Sequence, residues 1–547
     1  MKDLASLALT GDSHASAVDE SAVDTLWQSD PFGQSRRSLT EGLAAERAGN
    51  FEKADRCFEQ IALVGVPLPN LLLECGRYFK RRALYEQAFT CFAKAHPIGP
   101  DAVARFCSGL PAAILARYLP WVAANMLGGS RPGFYGFQLV KSAVVEWLGI
   151  TGAAAVLAPT FATTALGCQG LELASLKHVA RARGLAYEVL SPGKEFFFHA
   201  PVVAGGSERQ GFTATTRTFF RCLLPDVVVS SKSNFVLAQG QAILDYQDDE
   251  LAKCPLDLDV DPIVVAADGS HVFVLAPEPA AAITTFDDAL SLVGVHSYAF
   301  GHWLLEFLPK LWAWRGQPGF ADVPVLVDAQ MPSQHREALE MFLSAGQRVV
   351  TLKPGERVRV RRLWTASMPC YMPLGPKPGP DLPELLTVDT ACFAALMREA
   401  LPHDQASPTP HARVYLSRKP NQHRKLVNYL EVEAWFRAQG FVIVDPAEIT
   451  FAEQLRLMRD ATMVVGPDGS AVFMALFART GTIVRTFSHP FLDDTEWFAA
   501  LGAQLGLDTA IIVGELVERN EAYPLNSSYR IELQQLEQHF GGLLQHP

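Results

Sequence analysis

Three groups of side chains in this chain have the types and spacing that chemistry needs. The first is Ser417, Arg418, Lys419, Arg424 and Lys425, a run without an acidic residue that follows the β-rich residues 414–416. Arginine offers phosphate a bidentate fork, so Arg418 and Arg424 read as an anion grip. Ser417 is a further phosphate-binding candidate, and Arg413, at the strand start, is a weaker one. The second group is the turn Gly466-Pro467-Asp468-Gly469-Ser470, which opens directly into an apolar segment. Glycine lets backbone approach a ligand closely, and free N–H groups at a helix start attract phosphate. Gly466, Gly469 and Ser470 are therefore cradle candidates. The third group is His302 and Glu306. At i,i+4 they share one helix face and can hydrogen-bond. An imidazole steadied by a carboxylate can take a hydroxyl proton, as could the carboxylate alone. Glu448 is a candidate for holding ribose hydroxyls. Each has a plainer reading: a solvated basic loop, a His–Glu pair packing a domain edge, an exposed helix-start acid.

The elements that must position these groups follow a clear rhythm. Short β-rich runs at 414–416, 441–444, 463–465 and 483–486 alternate with segments of helical period at 426–439, 451–460 and 470–478. Alternation of this kind marks βαβ units on a parallel sheet, whose ligands sit outside the carboxyl ends of the strands. The basic run and the glycine turn both fall at such ends. The expectation is a half-domain that grips a nucleoside diphosphate. Upstream, residues 223–229, 271–275 and 324–328 read as strands, 335–345 as a helix and 203–209 as a turn. The proline-rich residues 369–383 read as a loop. Residues 402–412 are the best linker in the chain and the expected main domain boundary.

The N-terminal part differs in kind. Gly42, Phe51, Ala54 and Phe58 recur as Gly76, Tyr85, Ala88 and Phe92, at the tetratricopeptide period, with a third unit hinted at by Val122 and Met126. The expected plan is a polar lead-in over 1–36, a small all-α tetratricopeptide-like region over 37–125, an acceptor or catalytic domain over 126–402, and a nucleotide-binding domain over 413–547. The helical region would dock a protein partner or a second copy; its plainer reading is a helical cap with chance spacing.

Composition narrows the class. At 547 residues, 49% hydrophobic and 19% charged, the chain is globular and long enough for two or three domains. A net charge of -11 argues against nucleic-acid binding. Nine scattered cysteines without a CxxC pair argue against a disulfide framework or structural zinc, and for a reducing compartment. The N-terminus lacks the apolar core of a signal peptide. Residues 147–171 are uncharged, but only 147–158 are convincingly apolar, short of the roughly 20 residues a bilayer requires. A cytoplasmic protein, at most peripheral to the inner membrane, is expected. A metal at His296, His302 and Glu306 lacks a third ligand at known spacing.

The residues His302-Trp303-Leu304-Leu305-Glu306-Phe307-Leu308-Pro309, with Arg413-Val414-Tyr415-Leu416-Ser417-Arg418, Arg424 and Asn428, resemble glycosyltransferase family 61, whose bacterial members build capsule and exopolysaccharide. Gly440-Phe441, Glu448, Phe451, Gln454 and residues 466–471 match in order, so the resemblance covers roughly 220–490. Two positions depart from it. Asp468-Gly469-Ser470 stands where the family has a His-Gly-Ala, and Tyr429 stands where an acid is usual, leaving Glu431 as the nearest match. An anion at 468 is unfavourable beside a diphosphate unless it faces away. The resemblance implies an α/β protein of GT-B type, a pair of Rossmann-like domains with the donor in the C-terminal one. It implies inverting, metal-independent transfer from a nucleotide sugar, expected to be UDP-linked, to a glycan or protein acceptor, without a further cofactor. His302 would be the base, with Glu306 as its partner or as the base itself. The alternative from another class is a non-catalytic tetratricopeptide-type scaffold on a degenerate transferase body, which Asp468 keeps open. A sugar-nucleotide-modifying enzyme would need a GxGxxG fingerprint, and the sequence has none in place.

Overall fold

The computed structural model describes residues 34–63, 69–95, scattered residues between 106 and 158, 168–198, 202–204, 212–215, 217–246, 257–276, 283–329, 331–370, 412–419, 424–490, 501–502, 504–520 and 526–545. By their contacts they divide into two units: Met1–Leu173 with Leu258–Ala280, and Ala174–Asp257 with Ala281–Pro547. The expected linker at 402–412 and loop at 369–383 lie outside the described residues, apart from Pro369, Cys370 and Ala412, as do residues 1–33 and the hinted third repeat at Val122 and Met126.

The described helices of the first unit include Gln34–Arg47, Phe51–Leu63, Pro69–Arg81 and Tyr85–Ala95. Gly49, at φ 71, turns the chain between the first two, and the Asn50 side chain then caps the second by accepting from Lys53 N–H at 3.1 Å. The recurring residues have one physical job. A Cβ on Gly42 would lie 3.0 Å from the Phe58 ring, and one on Gly76 would lie 2.6 Å from the Phe92 ring. In each pair the glycine makes room for the aromatic ring of the next helix. Phe58, Phe92 and Tyr78 are fully buried, with Phe58 and Tyr78 stacked at 4.0 Å. The same unit pairs His271–Leu275 antiparallel with Val264–Ala267 and with residues 168–172. Lys141 is fully buried there, its Nζ donating to the Leu258 and Asp261 carbonyls at 3.0 and 2.7 Å. Among the described residues no helix is long and apolar enough to cross a membrane.

The second unit is built on two sheets. In the larger, Val349–Leu352, Val325–Asp328, Thr284–Ser291 and Arg357–Ala366 lie parallel in that spatial order. Beyond Arg357–Ala366 the partner Phe219–Ser230 runs antiparallel, followed by Val236–Ala238 and Gln241–Leu244. This half is thus a mixed α/β sheet. The sequence records the change: the four residues of Val325–Asp328 are all buried, whereas Arg357–Ala366 begins by alternating, with Val358 and Val360 inward. Its outward arginines pair with aspartates of neighbouring strands and turns, Arg359 with Asp226 and Arg361 with Asp287, each at 2.6 Å. Such exposed pairs contribute little stability.

The helical stretch after this sheet's third strand has three parts: an α-helical start at Phe300–His302, a π-helical turn at Trp303–Phe307, and an α-helix at Leu308–Trp314. Pro309 explains the middle part. It has no N–H for the carbonyl four residues back, and its ring would collide with that carbonyl. The turn widens, so that Leu308 N–H donates to the Trp303 carbonyl five residues back. Trp303, Leu304, Leu305, Phe307 and Leu308 are all buried.

The second sheet is fully parallel, in the order Val442–Val444, Ala412–Leu416, Ala461–Pro467, Ile483–Ser488, Asp508–Val513 and Val202–Ala204. The four strands expected here are all present, with helices at Tyr429–Ala438 and Phe451–Asp460. Thr450 and Glu453 close a capping box on the latter, which is why it starts where it does. Two elements differ from expectation. Ser470–Phe477 is a 3₁₀ helix, not an α-helix; its residues are apolar on all sides, so their pattern cannot separate a period of 3.0 from one of 3.6. Residues 202–204, partly read as a turn, form the edge strand beside Asp508–Val513; the three-residue run is too short to register as a period. One apolar core, with Trp303, Leu304, Leu416, Phe451, Leu455 and Val472 among its members, joins the two sheets of this unit.

His335, on the helix Ser333–Phe342, sits within this core against the rings of Phe300 and Trp303 at 5.4 and 5.6 Å. Burial lowers its imidazole from the ordinary value to about 4. Above pH 6.5 both folded and unfolded chains hold it neutral; as pH falls towards 4 only the unfolded chain takes up the proton, so stability is lost across that window. The loss should be on the order of 3 kcal/mol. Denaturant melts at pH 7, 5.5 and 4.5 should show a flatter decline for His335→Phe than for the wild type; parallel declines would assign the acid sensitivity to other groups.

Candidate active site

The approach to His302 is fixed by a buried carboxylate. Asp328 ends the strand Val325–Asp328 and is 4% exposed. Its Oδ1 accepts from Ser231 Oγ–H and Lys232 N–H at 2.8 and 2.7 Å, and its Oδ2 accepts from Gly294 N–H and Ser297 Oγ–H at 3.0 and 2.6 Å. Burial pushes the carboxyl above its ordinary value, and the four bonds oppose that shift. Together with Asn234 Oδ1, which accepts from Val295 N–H at 3.0 Å, Asp328 ties down the loop that leads to Phe300. Gly294 is required in that loop, since a Cβ there would lie 2.4 Å from the Phe307 ring.

His302 and Glu306 meet as their spacing predicts. His302 Nδ1 lies 3.0 Å from Glu306 Oε1, with Glu306 fully buried and His302 14% exposed at its side chain. A carboxylate can only accept, so Nδ1 carries the proton. Behind them lies a second pair: His296 Nε2 is 2.9 Å from Asp257 Oδ2, both buried, and the His296 ring is 4.6 Å from that of His302. Among the described residues no group of three or more His, Cys, Asp or Glu side chains is placed to hold a metal ion.

The residues expected to grip an anion come together at the carboxyl ends of Ala412–Leu416 and Ala461–Pro467. Arg418 Nη1 donates to the Asp468 carbonyl, and Arg424 Nη1 donates to Asp468 Oδ2 at 3.0 Å. Burial, and then the charge of Arg424, lower the Arg418 guanidinium below its ordinary value, while Asp468 works the other way. Gly469, at φ 152 and ψ 177, holds a conformation that is essentially glycine's alone. A Cβ there would also stand 2.5 Å from Arg418 Nη1, and one on Gly466 would stand 2.8 Å from the Leu416 carbonyl. These two glycines admit the arginine and close the strand ends on each other.

An open cleft of about 540 Å³ lies here, lined by Arg418, Lys419, Asp445, Glu448, Gly469 and Ser470, with Ser417 among their neighbours in the wall. That volume is in the range of small-molecule sites. Glu448 faces it from the loop after Val442–Val444, and Lys419 reaches across to Glu448 and, at 3.2 Å, to Asp445. Gln454 holds that loop by donating to the Pro446 carbonyl at 2.8 Å. The cleft is connected to the histidine pair by packing. A Cβ on Gly301 would lie 3.0 Å from the ring of Phe473, in the 3₁₀ helix that Ser470 begins.

Of the residues singled out in the sequence, Ser417, Arg418, Glu448, Gly469 and Ser470 share this cleft, and Arg424 and Gly466 support it from behind. Ser417 spends its hydroxyl on Glu433, at 2.5 Å. Arg413 is at the amino end of its strand, away from the cleft, with Nη2 donating to the Leu544 carbonyl at 3.3 Å. Asn428 is a structural tie, exchanging hydrogen bonds with Ile531 N–H and carbonyl at 3.2 and 2.8 Å. Sequence reasoning did not single out Asp328 or Asp257. Asp328 had a usable signal, an acid closing a buried parallel strand; Asp257, remote in sequence from His296, had none.

Residues 300–485 match the family model described as Glycosyltransferase 61. The match begins at the start of the helix that bears His302 and ends beyond the glycine turn, so both parts of the site fall inside it. It supports glycosyltransferase activity in general. No curated protein matches the chain.

Asp328→Asn replaces one accepting oxygen with a donor that must face two of the four donors. The variant should lose about 1–3 kcal/mol of unfolding free energy, read from denaturant melts at neutral pH. Stability within about 0.5 kcal/mol of wild type, the usual spread for a surface change, would show that the carboxylate does not organise the loop.

Proposed function

We propose that the chain is an inverting, metal-independent glycosyltransferase of GT-B type. It would move a sugar from a nucleotide sugar, UDP-linked, onto a glycan or protein acceptor, in the making of a surface polysaccharide. The observation that carries the reading is Arg418 held beneath Gly469 in a cleft at the carboxyl ends of a parallel sheet, beside a helix start bearing a His–Glu pair.

In this reading the donor diphosphate lies against Arg418 and the N–H groups that follow Gly469, with Arg424 set by Asp468. Asp468 is compatible with an anionic ligand because its carboxylate already pairs with Arg424. Glu448 would take the ribose hydroxyls by releasing Lys419. His302 Nε2 removes the acceptor hydroxyl proton, since Nδ1 is engaged with Glu306. The acceptor oxygen then uses its freed electron pair to bond the anomeric carbon from the face opposite the diphosphate. The carbon–oxygen bond to the diphosphate breaks with its pair on the phosphate oxygen, and that charge is met by arginine and backbone N–H groups. Helix pairs with the glycine–phenylalanine contact repeated between them support the reading of residues 37–125 as a tetratricopeptide-like docking region for a protein partner or a second copy.

A hydrolysis screen across UDP-sugars, followed by two variants, tests this. Arg418→Ala should weaken UDP binding by about 1.5–3 kcal/mol, the worth of a charge-assisted contact. His302→Ala should keep UDP affinity and lose about 10²–10⁴ in turnover. Unchanged UDP affinity in Arg418→Ala, or more than about a tenth of wild-type turnover in His302→Ala, would contradict the assignment.

A further inference from the structure

The second histidine–carboxylate pair has no place in the reaction as drawn, yet it occupies a costly position. His296 and the Asp257 carboxylate are 0% and 1% exposed at their side chains. Burying such groups is unfavourable unless each is compensated. One atom is not. A carboxylate accepts, so His296 Nε2 carries the proton given to Asp257, which leaves Nδ1 as an acceptor. That Nδ1 is buried without a hydrogen-bond partner. The ring bearing it is held on the loop that Asp328 fixes through Gly294 and Ser297, and it packs at 4.6 Å and 39° against the ring of His302.

Resting on the transferase reading for its role, we infer that His296, with Asp257 behind it, is a positioning residue for His302. The pair fixes the ring of the base and supplies a second negative partner for the charge that His302 gains with the acceptor proton. The groups that face His302 include Glu306 on its own helix and His296 on the preceding loop. His335 meets that helix at Phe300 and Trp303, and the 3₁₀ helix presents the apolar Phe473. Cys370, which feels Glu306 and Arg217, is a thiol that burial keeps protonated. The two carboxylates therefore act on His302 from separate sides of its ring, Glu306 by a hydrogen bond and Asp257 through an intervening imidazole. A filler role for the pair would need only the hydrogen bond between them; a role towards His302 needs the charge.

Asp257→Asn separates these, because the amide oxygen can still accept from His296 Nε2–H while the charge is gone. In the full chain the variant should keep its melting temperature and UDP affinity. The imidazole ¹⁵N signals of His302, assigned by their loss in His302→Gln, should move. Hydrolysis of UDP-glucose or UDP-N-acetylglucosamine, whichever the wild type accepts, should fall about tenfold in kcat at an unchanged KM, the effect of roughly one unit in the base's proton affinity. His302 signals and kcat both unchanged would overturn the inference. If the wild type hydrolyses neither sugar nucleotide but the His302 signals move, the coupling of the two pairs stands and the transferase reading fails. Should Asp257→Asn not fold, His296→Gln carries the same test: it keeps a donor near the Nε2 position and removes the ring, and unaltered His302 signals would overturn the proposal.

Discussion

Gly301 has no side chain, and the ring of Phe473 occupies the room this leaves. That contact joins the two parts of the candidate site. It brings the helix start bearing His302, a product of the larger mixed sheet, against the 3₁₀ helix that begins at the glycine turn of the parallel sheet. The surrounding core is apolar and continuous through Trp303, Leu416, Phe451 and Val472, so the two sheets of this unit are packed as one interior. A methyl group at 301 would press on the Phe473 ring, which would have to give way to admit it.

Around that contact the unit buries charge and pairs it. Asp328 is met by four donors, Glu306 by His302, Asp257 by His296, and Lys310 by Asp245. Buried ion pairs are weak evidence for stability, because desolvation consumes much of what the attraction returns. Two of them, His302–Glu306 and His296–Asp257, stand ring against ring at 4.6 Å. The grip follows the same logic with the opposite sign: Arg418 and Arg424 repel, and Asp468 lies between them, giving its carbonyl to one and its carboxylate to the other. Asp468 thus belongs to the electrostatics of the arginine pair itself.

What the sequence made legible, and what it did not, has physical causes. The parallel sheet was readable because its strands are short apolar runs between helices of strong period, and the capped helix Phe451–Asp460 appeared at its observed limits. The His302–Glu306 contact was readable because i,i+4 on a helix is a distance as well as a spacing, and the widened turn at Trp303–Phe307 did not break it. Arg413 shows the opposite case. It is close to Arg418 in sequence, but the strand between them is extended, so closeness along the chain became separation in space. The antiparallel extension of the larger sheet was hidden because alternation within one strand does not reveal its neighbour. Ser417 was assigned to the ligand by its place after a strand, and Glu433, sixteen residues on, claimed its hydroxyl instead.

The central claim is that the cleft beneath Gly469 is where a nucleoside diphosphate binds, with the histidine helix packed against it through the Gly301–Phe473 contact. Backbone amide hydrogen exchange with and without saturating UDP tests it most directly. The account predicts slowed exchange at residues 417–419 and 469–473, with a smaller effect at 300–303 through the Gly301–Phe473 contact. UDP binding that left 417–419 and 469–473 exchanging at their free rates would place the nucleotide elsewhere and contradict the account.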